Sequence, residues 1–280
     1  MKIATKNHVF KTLEKYNLIA KKGYGQNFLI NENITTSIVD KMSIDKDSLI
    51  IEIGPGLGAL TQELLNKFNK VIAIEIDKNM VMVLNDTFED EKLEIINEDF
   101  LKVDLNEIFN NFTNFKKASI VSNLPYYITS DILEKIILYR DNKIDKMVVM
   151  MQKEVGKKLI KSDEKIDTFL KFLIDNYCNV KELVYVSKND FIPRPNVDSI
   201  VLEIELNNAK NEISNEEKFF NLLKNCLVNK RKILLSNLVS LLNKNKEEIL
   251  SVYKMLNIKE TARIEELKIN EYINLINQLI

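Results

Sequence analysis

Ten residues, Leu49-Ile50-Ile51-Glu52-Ile53-Gly54-Pro55-Gly56-Leu57-Gly58, constrain the fold of this chain more than any other stretch. A short continuous apolar run reads as a buried strand, and glycines directly after it let backbone approach a ligand with no Cβ in the way. Leu60, Leu64, Leu65 and Phe68 then recur at helical spacing, so the turn feeds a helix whose N-terminus faces whatever sits above it. A tight turn without a ligand would also use glycine, and the rest of the chain has to separate the two readings.

The chain has 280 residues and 45% hydrophobic content, enough for one large domain with an appendage or for two domains. Its 40 basic and 41 acidic residues nearly cancel but are unevenly placed. Lys2, Lys6, Lys11, Lys15, Lys21 and Lys22 face only Glu14 in the first thirty residues, whereas the segment from Glu32 to Glu107 is acidic. A basic arm beside an acidic body suits a polyanionic partner, although a lysine-rich surface would look similar. Cys178 and Cys226 lie in apolar helical patterns and match no metal or redox spacing, so both are expected to be buried thiols. The single histidine, His8, has no partner cluster, which argues against histidine-based acid-base chemistry and against a metal site. Without a membrane-length apolar run or a signal-peptide core, a cytoplasmic protein with no membrane partner is expected.

In chain order, residues 1–22 read as a basic, partly helical leader, followed by the loop Gly23-Tyr24-Gly25-Gln26-Asn27-Phe28-Leu29 and a helix capped by Asn31. Val71 to Asp77 is a second buried strand that ends in carboxylates. Glu75 sits about twenty positions beyond the glycines, where an acidic residue accepts hydrogen bonds from ribose hydroxyls, while Asp77 suits the N-cap of the next helix. A third strand, Leu93 to Phe100, ends at Asp99, an acceptor placed for an adenine amino group. The fourth, Ser119 to Ser122, runs into Asn123-Leu124-Pro125-Tyr126-Tyr127, whose proline holds the backbone rigid. These tips describe an α/β protein with a carboxyl-end crevice in an open parallel sheet. All four prolines and five of the six glycines fall in the loop after the leader, the glycine turn, the Asn123 motif and the turn Phe191 to Ser199. From about Asn211 onward only amphipathic helices are predicted.

Several of these motifs resemble, in order and spacing, those of the ribosomal RNA adenine dimethyltransferases, and within them the small-subunit (16S), kasugamycin-resistance type. The likeness runs from Lys22 to the C-terminus. It rests on Gly25 to Leu29, Glu52 to Gly58, Glu75, Asp99, Asn123-Leu124-Pro125-Tyr126, Met151 to Val155, Phe191 to Ser199, Lys230-Arg231-Lys232 and Arg263 to Leu267. The resemblance implies a Rossmann-like S-adenosylmethionine-dependent methyltransferase domain over residues 1–208, leader included, and a small all-α RNA-substrate domain over 209–280. It implies S-adenosylmethionine contacted by Asn27, Leu29, Gly54, Glu75, Asp99 and Asn123. Position 27 is often His in the family, a Tyr-Gly pair is missing from Ile166 to Phe172, and Lys188 replaces a usual Pro. These departures concern RNA positioning more than the cofactor.

The implied reaction is dimethylation of the exocyclic amines of two adjacent adenosines in the 3'-terminal hairpin loop of 16S rRNA, within a small-subunit precursor and with a role in subunit biogenesis. Such an amine needs acceptors for its hydrogens as the nitrogen becomes tetrahedral, and the Asn123 side-chain oxygen and Leu124 carbonyl are the candidates. Tyr126 and Phe191 are the expected stacking pair for a flipped base. Lys22, Lys230, Arg231 and Lys232 are expected on RNA phosphates, and a monomer is expected. Three alternatives remain open at this level. Gly54-Pro55-Gly56-Leu57-Gly58-Ala59 also satisfies a weak dinucleotide pattern, the 23S rRNA methyltransferases of the macrolide-resistance type share the fold, and a non-catalytic rRNA-binding assembly factor could retain it.

Overall fold

The run Leu49–Ile53 is an inner strand of a seven-stranded sheet, buried along its whole length because strands pair with both its edges and helices cover the faces. The computed structural model describes residues 2–139, 143–160 and 165–280, with Lys22 described through its backbone alone. In chain order, α1 (Lys6–Lys15), β1 (Phe28–Leu29) and α2 (Glu32–Lys41) precede β2 (Leu49–Ile53). The elements α3 (Ala59–Lys67), β3 (Val71–Ile74), α4 (Lys78–Thr87), β4 (Leu93–Ile96), α5 (Leu105–Asn111), β5 (Ala118–Asn123), α6 (Thr129–Leu138) and β6 (Ile144–Gln152) then alternate. After α7 (Lys153–Ile160) and α8 (Phe169–Tyr177) come β7 (Cys178–Val186), β8 (Phe191–Ile192) and β9 (Ser199–Leu206). Four helices close the chain: α9 (Glu216–Val228), α10 (Leu234–Leu242), α11 (Lys246–Met255) and α12 (Ile269–Leu279).

The strand order is β4-β3-β2-β5-β6-β9-β7. From β4 to β6 all neighbours run parallel, in register from Ile51 to both Ile72 and Ile120. Helices cover a parallel sheet on both faces, which is why β2 and β3 are continuous apolar runs. β9 breaks the pattern by lying antiparallel to β6, with Met150 opposite Val201. It sits between β6 and β7, so Glu203 is buried despite the alternation of its strand, and it accepts a hydrogen bond from the Ser43 N–H at 2.7 Å. An inserted antiparallel strand departs from the mostly parallel 3-2-1-4-5-6 sheet of dinucleotide-binding dehydrogenases, which speaks against the oxidoreductase alternative.

Helix ends follow the local chemistry. Asn31, Asp77 and Asp104 cap α2, α4 and α5 by accepting from backbone N–H groups two residues on. The leader is more ordered than its composition suggests. Thr5 caps α1, Ile3 and Val9 are buried, and Lys2 pairs with Glu32 at 2.5 Å. Part of its basic character is therefore spent within the protein.

The chain divides into two compact units, Met1–Ile160 with Asn179–Leu206, and Lys161–Cys178 with Asn207–Ile280. The second unit thus takes α8 in addition to the C-terminal helices, where the sequence reading drew one boundary after residue 208. Nothing in the residues around α8 marks them as part of the helical unit, because their partners are supplied from thirty or more positions away. Phe172 lies 5.3 Å from Phe219 between ring centroids, and Phe219 lies 5.4 Å from Tyr272. Cys226 is buried in the same unit, where loss of hydration pushes its thiol up to about 11. Cys178 is also a buried thiol, but it opens β7 and is not helical.

Gly58, the N-cap of α3, has φ +87°, and a Cβ there would meet the Phe88 ring at 2.5 Å. Gly58→Ala is expected to lower unfolding free energy by about 2 to 4 kcal/mol, from the left-handed backbone and the overpacked ring together. Chemical denaturation of the two proteins checks this.

Candidate active site

Strands β2, β3, β4 and β5 point their carboxyl ends at one cavity, the place where open α/β sheets bind ligands. Counting the open solvent at its mouth, the cavity spans about 1230 Å³, and its wall includes Asn27, Leu29, Gly54, Glu75, Asp99 and Asn123. All six residues that the resemblance implies for the cofactor thus face one space.

Its floor is the glycine turn. Gly54 (φ +64°) donates to the Ile74 carbonyl at 2.9 Å, and no atom lies within 4 Å of where its Cβ would be. Gly56 (φ +57°) donates to Glu75 Oε2 at 3.1 Å, and the Asp77 N–H donates to Oε1 at 2.9 Å. Glu75 is only 5% exposed, and burial raises its pKa against the opposing pull of these bonds. Glycine at 58 leaves α3 without a side-chain cap, and Glu52 supplies one from inside β2. Its Oε2 accepts from the Thr61 hydroxyl at 2.6 Å. Glu52 is 1% exposed, and burial pushes its carboxyl up to about 8, with Glu75 nearby adding to the rise.

The β4 side is held by a residue that sequence reading missed. Asp99 Oδ1 accepts from the Leu101 N–H at 3.0 Å. Lys135, on α6, donates to the carbonyls of Phe100, Leu101 and Val103 at 2.8, 2.9 and 2.6 Å. One ammonium satisfies three loop carbonyls, and only the packing of α6 beside that loop reveals it.

On the β5 side, Asn123 is the last strand residue and its Nδ2 donates to the Asn27 carbonyl at 3.1 Å. A carbonyl can only accept, so this bond fixes which end of the carboxamide is nitrogen. Among the described residues nothing donates to Oδ1, and Asn123 is part of the cavity wall. Leu124 has a buried side chain and an N–H held by the Met150 carbonyl at 3.0 Å. Neither Leu124 nor Tyr126 is part of the cavity lining, which takes Asn123 and Pro125 from this motif; the Tyr126 hydroxyl pairs with Ser199 Oγ at 2.7 Å. Phe191 departs from expectation: β8 pairs with β1, Leu29 opposite Phe191, and this packs the Phe191 ring into the core at 2% exposure. It does not line the cavity, whereas Tyr127 and Tyr24 do and are exposed at its mouth.

The loop 23–29 closes against the same rim. Asp77 Oδ1 accepts from Lys21 Nζ and Oδ2 from Gln26 Nε2, both at 2.9 Å, while Gln26 Oε1 accepts from the Lys21 N–H at 2.8 Å. Burial opposes charge on Asp77, but its bonds from Lys21, Asn79 and Gln26 hold the carboxyl below the usual range. The expected RNA-contacting group divides between units. The Lys22 side chain lies outside the described residues. Arg231 and Lys232 are exposed in the turn between α9 and α10, and Lys230 beside them lies 3.4 Å from Asp167.

The sequence profile of the family described as "Ribosomal RNA adenine dimethylase" matches residues 17–280. The chain belongs to this family. Among the relatives of this adenine dimethylase is "Ribosomal RNA small subunit methyltransferase A" of Mycoplasma capricolum, 42% identical over 92% of this chain and 97% of that protein. The protein of the same name from Clostridioides difficile is 38% identical over 99% and 96%. Among solved structures, a dimethyladenosine transferase from Plasmodium falciparum superposes with a TM-score of 0.69 at 26% identity, over 88% of this chain and 95% of that one. The 23S rRNA methyltransferase ErmE shares the fold, with a TM-score of 0.65 at 20% identity over 90% and 99%. The adenine dimethylase fold is the Rossmann-like methyltransferase sheet with a helical C-terminal region. Among the described residues no helix is long and apolar enough to cross a membrane.

Because Glu52 holds a proton that the unfolded chain releases near pH 4.5, its contribution to stability is full below that pH. It is lost as pH rises to about 8. Glu52→Gln keeps the shape and removes the titration. Relative to wild type, the variant is expected to gain stability between pH 5 and pH 8, on the order of a few kcal/mol, in denaturation curves at the two pH values.

Proposed function

We propose that this protein transfers methyl groups from S-adenosylmethionine to the exocyclic amines of two adjacent adenosines in the 3'-terminal hairpin loop of small-subunit rRNA. It does so in the cytoplasm, as a monomer acting on a subunit precursor. The observation that carries this reading is Asn123 in the cavity wall at the tip of β5, its amide nitrogen held by Asn27 and its oxygen without a donor among the described residues. The small-subunit target is supported by the names of the relatives at 42% and 38% identity.

The cavity suits the cofactor. An open cradle at Gly54, a buried carboxyl at Glu75 for ribose hydroxyls and a carboxylate at Asp99 for an adenine amine are the groups a nucleoside-bearing donor requires. S-adenosylmethionine, when bound, supplies an electrophilic methyl on a sulfonium, so the target amine needs no strong base. The Asn123 oxygen and the Leu124 carbonyl accept the amine hydrogens, and both bonds strengthen as positive charge grows on nitrogen. Preorganised dipoles of this kind are worth roughly 3 kcal/mol per group. Tyr126 stacks on the flipped base, its ring held by the Ser199 bond, and stacking of about 1 to 3 kcal/mol offsets the unstacking cost. Neutral acceptors also admit an amine that already carries one methyl, which allows two transfers per adenine. In the helical unit, Lys230, Arg231 and Lys232 track phosphates.

Asn123→Ala is expected to lower kcat roughly 100-fold while leaving donor affinity nearly unchanged. Single-turnover kinetics with unmethylated small subunits, paired with calorimetry, measures both, and equal losses in the two would remove the role given to Asn123. Mass spectrometry of the labelled RNA is expected to show dimethyladenosine at long times, and a monomethyl end point would contradict the second transfer. RNA affinity is expected to fall steeply with salt, less steeply after Arg231→Ala and Lys232→Ala.

A further inference from the structure

Three segments that sequence keeps far apart, Lys21 to Asn27, Glu75 to Asp77 and Asn123, are joined by a line of hydrogen bonds. At one end is Glu75, whose Oε1 accepts from the Asp77 N–H at 2.9 Å. Asp77 then uses both carboxylate oxygens on the N-terminal loop, Oδ1 on Lys21 Nζ and Oδ2 on Gln26 Nε2. The Gln26 amide has no rotational freedom left, because its other end accepts from the Lys21 N–H. The next residue, Asn27, is held by its own side chain, which donates to the Gly25 carbonyl at 3.0 Å, and offers its carbonyl to Asn123 Nδ2. Beyond it, β1 is pinned by pairing with β8.

From this we infer that Gln26 and Asp77 are positioning residues for methyl transfer: they anchor the backbone of residue 27, whose carbonyl sets the rotation of the Asn123 carboxamide. The inference rests on the role given to Asn123 above. Asp77 is 3% exposed and already caps α4 through Asn79, so a cap alone would need one of its oxygens. The second oxygen goes to Gln26. The line also links the acceptor proposed for the ribose to the acceptor proposed for the reacting amine, through backbone and side chains of one loop. A loop that swings off Asp77 takes the Asn27 carbonyl with it, and the carboxamide of Asn123 is then free to turn its nitrogen toward the amine. A misdirected group of this kind costs about 10- to 100-fold in rate.

Gln26→Ala and Gln26→Glu in the full chain test this. For Gln26→Ala, kcat at saturating donor and RNA is expected to fall roughly 10- to 100-fold, with the Kd for S-adenosylhomocysteine within about threefold of wild type. In ¹⁵N spectra of the free protein, the Asn123 side-chain NH₂ pair, assigned by its loss in Asn123→Ser, is expected to move to solvent-exposed values. Gln26→Glu can donate to Asp77 only when protonated, so its kcat is expected to climb toward wild type as pH falls from about 8 to 6, a trend that Gln26→Ala lacks. The inference is overturned by any of three results. These are a kcat within about twofold of wild type with an unmoved Asn123 signal, parallel loss of kcat, cofactor affinity and melting temperature, or a Gln26→Glu profile that matches Gln26→Ala at every pH. If the wild-type protein methylates no rRNA, the functional reading fails by itself, while the NH₂ signal still decides whether Gln26 orients Asn123.

Discussion

The cavity depends on one buried carboxyl. Glu75 accepts from Gly56 and Asp77, and so ties the glycine turn after β2 to the end of β3. An unpaired carboxyl at this depth would have a large desolvation cost, and two backbone N–H groups offset part of it while burial still raises the pKa. The same contact accompanies the turn, since the Gly56 N–H faces Glu75 with the backbone at positive φ, which glycine tolerates. The bonding of the buried carboxyl and the geometry of the turn are thus one problem with one solution.

A second buried acid shows how function bends local rules. A helix start usually takes Ser, Thr, Asp or Asn at the N-cap. At α3 that position is Gly58, because Phe88 leaves no space for a Cβ and the backbone is left-handed. The cap duty passes to Glu52 on the neighbouring strand, through Thr61. An acid in the middle of an apolar strand looks like a defect in the sequence pattern, yet it completes the helix whose N-terminus faces the ligand.

Polar residues of the cavity wall sit at or just beyond strand ends, but their orientation is set by loops. Asn123 is placed by β5 and turned by Asn27, and the Asp99 loop is placed by β4 and held by Lys135. A rigid sheet with secured loops fits the proposed role of Asn123, in which rate depends on the alignment of neutral acceptors.

Much of this was legible along the chain. Apolar runs of four or five residues marked β2 and β3, glycines and the Glu75 spacing marked the floor of the cavity, and Asn31 and Asp77 were recognisable caps, because each of these is a local relation between neighbours. The position of β9 inside the sheet, the membership of α8 in the helical unit, the pairing of β1 with β8 and the Lys135 contacts were decided only by tertiary structure. Phe191 illustrates the difference. Its motif identifies a stiff turn, but whether the ring faces a substrate or the core depends on what Phe28 and Leu29, more than 160 positions earlier, lay against it. Periodicity and spacing record what a residue needs from its neighbours in the chain, whereas a partner brought in by folding leaves no trace near either residue.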